Sequence, residues 1–366
     1  MTKMMCVGDN VNIARKAKKM YVIVDSVAHK AIKGYVGVNG IARQWWSGGK
    51  PAYYGTLTDL SSARYKAAAT TVGNYALVGG GYNSAEVVAY STTLTRSTLT
   101  DLSDTRGDLA ATTVGNYALF GGGYFSGDYY RTVEVYNASL TRSTLAGLSS
   151  ARNTLAATTV GSYALFAGGY NDNILKTVDA YHTSLTHSTP TSLSVERYRL
   201  AATTVGDYAL FGGGYALEDS GSDVVDAYNT SLTSSTPTVL SVGRHFLTAT
   251  TVGNYALFGG GSPYIDGVVV DAYDASLTRT TPTTLSPGRY RLAATTIGDY
   301  ALFAGGFSAA YSSVVEAFDA SLTKSTATGL SVARYDMATT AVGDYAIFAG
   351  GYNEKASAVV DVYTLE

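Results

Sequence analysis

The sequence contains a single cysteine, Cys6, in 366 residues. One thiol allows neither an internal disulfide nor a cysteine-rich metal site, so we expect a free thiol without a role. Charged residues make up only 15% of the chain, and the formal net charge is -2. Most of the chain therefore has too little positive charge for a nucleic-acid-binding protein, and it is too apolar to be intrinsically disordered.

Long apolar segments are missing as well. No stretch approaches the length of a transmembrane helix, and residues 1–20 lack the apolar core of a secretory signal. We therefore expect no membrane insertion. We also expect a protein that is made in the cytoplasm and stays there until something other than the secretory route releases it.

Tyrosine and glycine are abundant, with 30 and 40 copies, and they recur in seven near-identical repeats that begin near Leu60. One half of the repeat, as in residues 110–124, hardly changes from copy to copy, whereas the other half varies. Repetition at this period indicates supersecondary units that bury apolar faces against each other. One arginine precedes each copy at intervals of 42 to 47 residues, at Arg64, Arg106, Arg152, Arg197, Arg244, Arg289 and Arg334.

The second repeat shows how each unit divides into four short strands. Residues 109–114 and 117–120 are separated by a Gly-Asn pair, which is typical of a two-residue hairpin turn. Three glycines end the second strand, residues 132–136 alternate as a third, and a turn leads to a fourth at residues 141–148. Four antiparallel strands per repeat predict a propeller blade, with an open solenoid as the alternative.

The two ends of the chain favour a closed ring. The last repeat has only three predicted strands before Glu366, and residues 52–61 align with the fourth strand of the first repeat. An N-terminal strand that completes the last blade removes both sheet edges, whereas a solenoid needs polar caps that the sequence lacks. We therefore predict an all-β fold, a seven-bladed propeller with four strands per blade over residues 51–366.

Three features of the repeat resemble the kelch family. They are the Gly-Gly pair after the second strand, the Val-x-x-Tyr of the third, as in residues 133–136, and the arginine before the first. The resemblance covers about residues 52–366 and implies a kelch-like propeller. One hallmark differs, because smaller polar residues replace the tryptophan of the fourth kelch strand, so we expect thinner or differently filled packing between blades there. These residues are Ser143, Ser188, Ser235 and Thr280.

Residues 1–50 differ from the rest in charge and in repeat length. They contain nine basic and two acidic residues, whereas residues 51–366 contain 17 basic and 26 acidic ones. A 14-residue repeat in residues 13–46 predicts small β-hairpins with little core, which need neighbouring chains or a docking partner to become ordered. A solvated basic surface without a partner is the alternative.

The 14-residue repeat carries a second resemblance. Its equally spaced dipeptides are Ala14-Arg15, Ala28-His29 and Ala42-Arg43. Over about 35 residues it resembles short repeats in tail and adhesin proteins of phages and prophages of Gram-positive bacteria. The resemblance implies a receptor-binding tail protein of the virion that is released by lysis. Residues 1–50 would attach it to itself, as a homotrimer, or to a tail or baseplate protein.

Sequence variation is confined to one face of the predicted ring. The turns between the first and second strands and between the third and fourth barely vary, and in a propeller they share one face. The other connections, with the two residues after each repeated arginine, share the opposite face and vary in length and chemistry. Rigid aromatic rings beside polar groups suit recognition at low entropic cost and suit the flat faces of sugars. Unconstrained drift of surface loops is the alternative interpretation.

The predicted ligand-binding residues lie on this variable face, where we expect a cell-surface glycan or protein receptor to bind. An intracellular kelch-type adaptor that holds a peptide on the same face is a second interpretation, and a carbohydrate-active enzyme on a propeller scaffold is a third. The predicted binding residues are Tyr65, Lys66, Tyr129, Tyr130, Arg131, Asn171, Asp172, Tyr198, Arg199, His245, Phe246, Tyr264, Asp266, Tyr290, Arg291, Tyr335 and Asp336.

The sequence offers little support for catalysis. The repeated arginines could clamp carboxylates, but a residue that recurs in every blade more often serves the fold, here by bonding carbonyls between blades. Kelch-type copper oxidases need two histidines, and only His245 should face the variable side. A glycosidase needs two carboxylates at a defined separation, and nothing pairs Asp108, Glu196 and Asp336 near the predicted mouth. We therefore expect no enzyme, no metal and no cofactor.

Overall fold

The computed structural model describes residues 20–24, 27–31, 33–38, 41–47, 49–216, 221–263 and 266–366. Seven four-stranded antiparallel sheets stand in a ring, which confirms the all-β, seven-bladed propeller. The regular structure in these ranges is β-strand apart from a short 3-10 helix at Asp266–Val268. None of the helical structure in them is long and apolar enough to cross a membrane.

We number the blades 1 to 7 along the chain and call their strands a to d from the channel outwards. The a strands are Ala68–Val72, Ala110–Val114, Ala156–Val160, Ala201–Val205, Thr248–Val252, Ala293–Ile297 and Ala338–Val342. The b strands are Tyr75–Gly79, Tyr117–Gly121, Tyr163–Ala167, Tyr208–Gly212, Tyr255–Gly259, Tyr300–Ala304 and Tyr345–Ala349. The c strands are Val87–Ser91, Val133–Asn137, Val178–His182, Val225–Asn229, Val270–Asp274, Val315–Asp319 and Val360–Leu365. The d strands are Arg96–Thr98, Arg142–Thr144, His187–Ser188, Ser234–Ser235, Arg279–Thr280, Lys324–Ala327 and, for blade 7, Pro51–Thr56.

Further short hairpins lie outside the blade sheets. Two occur in b–c connections, where Tyr124–Phe125 pairs with Asp128–Tyr129 and Tyr352–Asn353 pairs with Lys355–Ala356. Two more lie in the N-terminal segment. Their strand pairs are Met20–Val24 with Val27–Ala31 and Lys33–Val38 with Ile41–Ser47.

An N-terminal strand completes the last blade, as the two ends of the sequence predicted. Pro51–Thr56 pairs antiparallel with Val360–Leu365 and supplies the fourth strand of blade 7. Beyond this pairing, the main chains of Lys50 and Glu366 exchange two hydrogen bonds of 2.7 and 3.0 Å. Main-chain hydrogen bonds between the two ends of the propeller therefore close the ring.

Apolar side chains from neighbouring blades pack into shared clusters. Between blades 1 and 2, Leu77 packs with Phe120 and Tyr136 of the next blade. Gly79 leaves room for the Phe120 ring, since a Cβ there would lie 2.9 Å from it. The Tyr136 hydroxyl donates to the Thr100 carbonyl of blade 1 at 2.6 Å. A c-strand tyrosine thus ties neighbouring blades together.

The d strands are shorter than the sequence predicted. In blade 2 the strand covers Arg142–Thr144 instead of residues 141–148, and Ser143 is exposed. Beyond it the main chain keeps only separate hydrogen bonds, from Leu145 to the Val133 carbonyl at 2.9 Å and from Leu148 to the Arg131 carbonyl at 2.8 Å. The pairing is interrupted because the chain already turns towards the next blade.

The repeated arginines are buried parts of the scaffold. Arg152 has no exposed surface, and its Nη2 lies 2.6 Å from Asp179 Oδ2 and 3.2 Å from the Phe166 carbonyl, both in the same blade. Its own carbonyl accepts a hydrogen bond from Gly123 of the preceding blade at 2.8 Å. The expectation that the side chains bond carbonyls between blades is therefore corrected, because the main chain makes that bond and the side chain stays within its blade. The carboxylate partners around the ring are Glu86, Glu134, Asp179, Asp226, Asp271, Glu316 and Asp361.

Threonine hydroxyls join the a strands around the channel. Between blades 2 and 3, the Thr112 and Thr159 hydroxyl oxygens lie 2.9 Å apart, and the Thr159 hydroxyl donates to the Thr113 carbonyl. The same pair of contacts recurs at each interface except the one between blades 6 and 7. There Ala341 stands where the other blades have the second threonine.

Replacing Ala341 by threonine is expected to complete this belt. The new hydroxyl can donate to the Thr296 carbonyl, so we expect the free energy of unfolding to rise by about 1 kcal/mol. Denaturant unfolding of the full chain measures the change. Ala341→Val is the matched control, because it adds the same volume without the hydroxyl. If Ala341→Val raises the free energy of unfolding equally, the stabilisation comes from packing and not from the hydroxyl.

Candidate functional site

Seven residues line the channel mouth on the variable face, each two positions after a repeated arginine. Each amide donates to the carbonyl of the equivalent residue in the preceding blade, at 2.8 to 3.2 Å, so their main chains form a closed circle. All seven have φ between +50° and +58°, a region that side-chain-bearing residues seldom adopt. Strain of this kind persists where the surroundings enforce it, and it clusters at functional sites. The mouth residues are Lys66, Asp108, Thr154, Arg199, Phe246, Arg291 and Asp336.

The mouth encloses about 230 Å³ and contains two ion pairs. Lys66 Nζ lies 2.8 Å from Asp108 Oδ2, and Arg291 Nη1 lies 2.8 Å from Asp336 Oδ2. Arg199 has no carboxylate partner among the described residues, and its Nε is buried without a hydrogen-bond partner. Three cations therefore face two carboxylates at the mouth.

Phe246 stands between two guanidinium groups. Its ring centroid lies 4.2 Å from Arg199 Cζ and 4.1 Å from Arg291 Cζ. Arg199 also lies over the Tyr198 ring at 5.0 Å, and Arg291 over the Tyr335 ring at 5.4 Å. Stacking on aromatic faces holds both guanidiniums in place.

Burial shifts two titratable groups at the mouth. It raises the pKa of Asp336 to about 6, against the opposing charge of Arg291 and with the help of Asp108. The pKa of His245 falls to about 4 because of burial and because of the positive charges of Arg199 and Arg291. At neutral pH, Asp336 is therefore mainly ionised and His245 is neutral.

An aromatic belt surrounds the mouth. It uses the residue directly after the repeated arginine, as at Tyr198, and the residue after Gly-Gly, as at Tyr215, whose main chains bond to each other at 2.7 and 3.1 Å. Successive ring centroids lie 5.0 to 6.1 Å apart, and the belt is open where Gly107 takes the place of an aromatic residue. In order, the belt is Tyr124, Tyr129, Tyr170, Tyr198, Tyr215, His245, Phe246, Tyr290, Phe307, Tyr335, Tyr352, Tyr65 and Tyr82.

The belt opens into an aromatic groove between blades 5, 6 and 7. The groove has a volume of about 380 Å³ and shares Phe246 and Arg291 with the mouth. Tyr311, from the b–c connection of blade 6, stacks nearly parallel to Tyr335, with centroids 5.8 Å apart. Mouth and groove therefore form one continuous site. The groove is lined by Phe246, Ser262, Tyr290, Arg291, Phe307, Tyr311 and Tyr335.

Most of the residues predicted for binding come together here. Tyr129 belongs to the belt, and its hydroxyl donates to Asp172 Oδ1 at 3.1 Å. The structure also brings together ten others in the mouth or belt. They are Tyr65, Lys66, Tyr198, Arg199, His245, Phe246, Tyr290, Arg291, Tyr335 and Asp336.

The remaining predicted residues lie elsewhere. The Tyr130 ring lies near Arg106, and Arg131 is exposed beside Gly147, so both sit farther out on blade 2. Asn171 donates to Ser150 Oγ at 2.9 Å. Two predicted positions fall on parts of the chain that are not described. They are Tyr264 and the side chain of Asp266.

The aromatic residues that follow the Gly-Gly pairs are not among the binding residues predicted from the sequence. In blade 2, Gly122 and Gly123 have φ of +72° and +118°, and a Cβ on Gly122 would lie 2.6 Å from the Arg152 carbonyl. This sharp turn brings Tyr124 to the Gly107 carbonyl at 2.9 Å and thus to the belt. The signal was the recurring Gly-Gly-Tyr, but its constancy made it look purely structural. The missed residues of this kind are Tyr82, Tyr124, Tyr170, Tyr215, Phe307 and Tyr352, and Tyr311 of the blade 6 b–c connection was missed as well.

The opposite face repeats similar turns from blade to blade. Asn137 Oδ1 accepts hydrogen bonds from the amides of Ser139 and Thr141, both at 3.0 Å, and an Asn or Asp does the same in blades 4, 5 and 6. An open cleft of about 500 Å³ on this face, beside Tyr255, is lined by such turn residues. This surface is uniform because local hydrogen bonds determine its sequence.

The groups considered for catalysis are dispersed or already paired. His187 Nε2 lies 2.7 Å from Asp179 on a d strand, and His182 contacts Ser184 in a c–d turn. Glu196 does not line the mouth as Asp108 and Asp336 do. In the described part of the chain, no three His, Cys, Asp or Glu residues stand close enough together to hold a metal ion.

Comparisons with known proteins support the fold. No protein-family model and no curated protein sequence matches the chain. Among the solved structures that resemble it is one titled "Structure of YjhT", with a TM-score of 0.57 and 13% sequence identity. The match covers 85% of this chain and 99% of that chain. At this identity the likeness shows a shared propeller architecture and nothing about a ligand.

Proposed function

We propose that this protein is a non-enzymatic recognition protein, a kelch-like propeller whose variable face binds a cell-surface glycan. The observation that carries the proposal is the aromatic groove beside the charged mouth, on the one face where the blades differ. Half-exposed rings such as Tyr290 and Tyr335 suit the C–H faces of sugars, while the mouth supplies hydrogen-bonding groups.

The rigidity of the belt supports binding at low entropic cost. Each ring is held by its neighbours, and main-chain bonds such as those between Tyr290 and Phe307, at 2.9 and 3.0 Å, fix the segments that carry them. Side chains that are already ordered lose little freedom when a ligand binds. A preformed aromatic surface therefore suits the weak, repeated contacts of glycan recognition.

The charge contrast of residues 1–50 and their resemblance to phage and prophage tail repeats support a place in a virion tail. In this proposal residues 1–50 form a trimer or dock on a tail protein, and three propellers bind a bacterial surface together. Light scattering of the full chain tests this part. A trimer is the expected result, whereas a monomer would favour the intracellular adaptor.

Absence of turnover is part of the proposal. The two carboxylates that line the mouth, Asp108 and Asp336, each form an ion pair with a neighbouring cation, Lys66 or Arg291. Mass spectrometry of a bound glycan after long incubation with the protein should show the glycan unchanged. A cleaved or isomerised product would establish the enzyme interpretation.

Removing the groove tyrosines is expected to weaken glycan binding. A glycan array with the full chain identifies the ligand, and Tyr311→Ala or Tyr335→Ala should then raise its dissociation constant roughly 10- to 30-fold. The reason is the loss of a stacked ring from the groove centre. Tyr255→Ala, on the uniform face, is the matched control and should bind as the natural protein does. If Tyr255→Ala weakens binding and the groove variants do not, the ligand binds the uniform face and the proposal is wrong.

A further inference from the structure

We infer, on the basis of the glycan-binding function proposed above, that the mouth selects acidic sugars. In this arrangement the carboxylate of a hexuronic acid lies beside Arg199, and its pyranose ring lies on the aromatic groove.

The charges at the mouth leave room for one negative group. Lys66 is paired with Asp108, and Arg291 is paired with Asp336, each at 2.8 Å. Arg199 has aromatic neighbours but no carboxylate among the described residues. A guanidinium binds a carboxylate through two parallel N–H···O bonds, which is the partner that this cation lacks.

Unused polar atoms point to the same place. Arg199 Nε and His245 Nδ1 are both buried without a hydrogen-bond partner. Buried arginines of the scaffold, such as Arg106 and Arg152, also have nitrogen atoms without a partner, so it is the position of these two atoms beside the mouth that links them to a ligand. Neutral His245 lies next to Phe246, with ring centroids 5.3 Å apart, and the positive charge of Arg199 acts on its imidazole.

The shape of the site separates the acid from the sugar ring. The mouth, at about 230 Å³, accommodates a carboxylate, and the groove, at about 380 Å³, accommodates one pyranose. Phe246 and Arg291 line both cavities, so the two cavities are neighbours. Tyr290 and Tyr335 contribute aromatic surface to the groove.

A single charge is favoured over a double one. Asp108 and Asp336 flank the cations of the mouth, and they would repel a phosphate dianion more strongly than a carboxylate. One unneutralised guanidinium balances one carboxylate. The structure therefore favours a uronic acid over a sugar phosphate.

Binding should strengthen as the pH falls. Asp336, whose pKa is raised to about 6, faces Lys66, Asp108 and Arg291, and its protonation removes one negative charge from the mouth. The sugar carboxylate stays ionised at pH 5. From about pH 7.5 to about pH 5 we expect the affinity for an acidic sugar to rise roughly 3- to 10-fold. Asp336→Asn should remove this pH dependence.

The decisive experiment compares methyl glucuronide with methyl glucoside, which share a ring and differ in the carboxylate. Titration calorimetry with the full chain should show the glucuronide binding about 10- to 100-fold more tightly, the effect expected of one charge-assisted contact. Arg199→Gln should abolish this preference. Arg142→Gln, on a distant d strand, is the matched control and should keep the preference. Melting curves of each variant show that it is folded.

The outcomes separate this inference from the proposed function. If the array shows glycan binding through the groove but both methyl sugars bind alike, the acidic-sugar inference is wrong and the glycan function stands. If no glycan on the array binds, both fail. Titrations with acetate and with inorganic phosphate test whether an anion without a sugar ring binds at the mouth. Acetate or phosphate that binds as tightly as the glucuronide would make the mouth a general anion site and overturn the assignment to a sugar acid.

Discussion

Asp179→Ala is expected to lower the free energy of unfolding by about 3–5 kcal/mol, because it leaves the Arg152 guanidinium charged and unpaired inside blade 3. Both side chains are fully buried, with Nη2 and Oδ2 2.6 Å apart. Asp179 also accepts hydrogen bonds from the Ser149 amide at 2.9 Å and interacts with His187.

The matched control for this prediction lies in blade 1. There Val88 occupies the c-strand position that bears an acid in the other blades, and Arg64 pairs with Glu86, whose side chain is 35% exposed. Glu86→Ala should cost less, about 1–2 kcal/mol, since the Glu86 carboxylate is already partly solvated and its removal opens the site to water. Guanidinium chloride unfolding followed by circular dichroism measures both. Equal losses would show that burial of the pair does not determine its contribution.

The buried pair also predicts a pH dependence. Burial alone would raise the pKa of Asp179, but Arg152, the Ser149 amide and His187 together hold it below its usual value. A carboxyl group whose pKa is lower in the folded state stabilises that state fully above about pH 4, its ordinary value. This contribution is lost as the pH falls through the lowered pKa. The difference in stability between the natural chain and Asp179→Asn should therefore shrink in acid.

Removing the closing strand should open the ring. A chain without residues 1–57 lacks Pro51–Thr56, so the last strand, Val360–Leu365, becomes an exposed edge. It also loses the hydrogen bond from the Tyr53 hydroxyl to Asp361 at 2.7 Å. Several ladder hydrogen bonds at about 1 kcal/mol each, with the buried part of Tyr53, predict a loss of about 5 kcal/mol or more. Exposed strand edges also favour aggregation.

A shorter truncation separates ring closure from other roles of the N-terminal segment. A chain without residues 1–48 keeps the closing strand, so the melting temperature of this shorter chain should match that of the propeller in the full chain. The longer truncation should melt well below it or aggregate. A synthetic peptide of residues 49–58 should restore part of the lost stability by adding the missing strand in trans. If both truncations melt together, the N-terminal strand does not close the ring.

Repetition made most of the fold predictable. Seven copies of an alternating pattern, with glycine turns at fixed places, are compatible with only a few folds. The alignment of residues 52–61 with residues 94–103 identifies the fourth strand of the last blade. The d strands were predicted too long, since pairing at residues 145–148 depends on where the chain leaves one blade for the next. No local pattern encodes that point.

The site was predicted only as a face. The variable positions of the sequence include Arg199, Phe246 and Arg291. They do not show that the Arg199 and Arg291 guanidiniums both stack on the Phe246 ring. That arrangement depends on the angle between blades. The same holds for Asp108, which reaches Lys66 across a blade boundary 42 residues away.

The sequence by itself determined the number of blades, the closure of the ring and the face on which the blades differ, because each follows from local patterns that repeat. Only the tertiary structure decided that the seven repeated arginines are neutralised inside their own blades, by acids about 22 to 29 residues further along. It also decided that, within the described part of the chain, Arg199 alone among the mouth cations has no carboxylate partner. Both depend on distances between residues far apart in the chain. These distances matter because a charge buried in the protein interior is costly unless a group of opposite charge lies beside it.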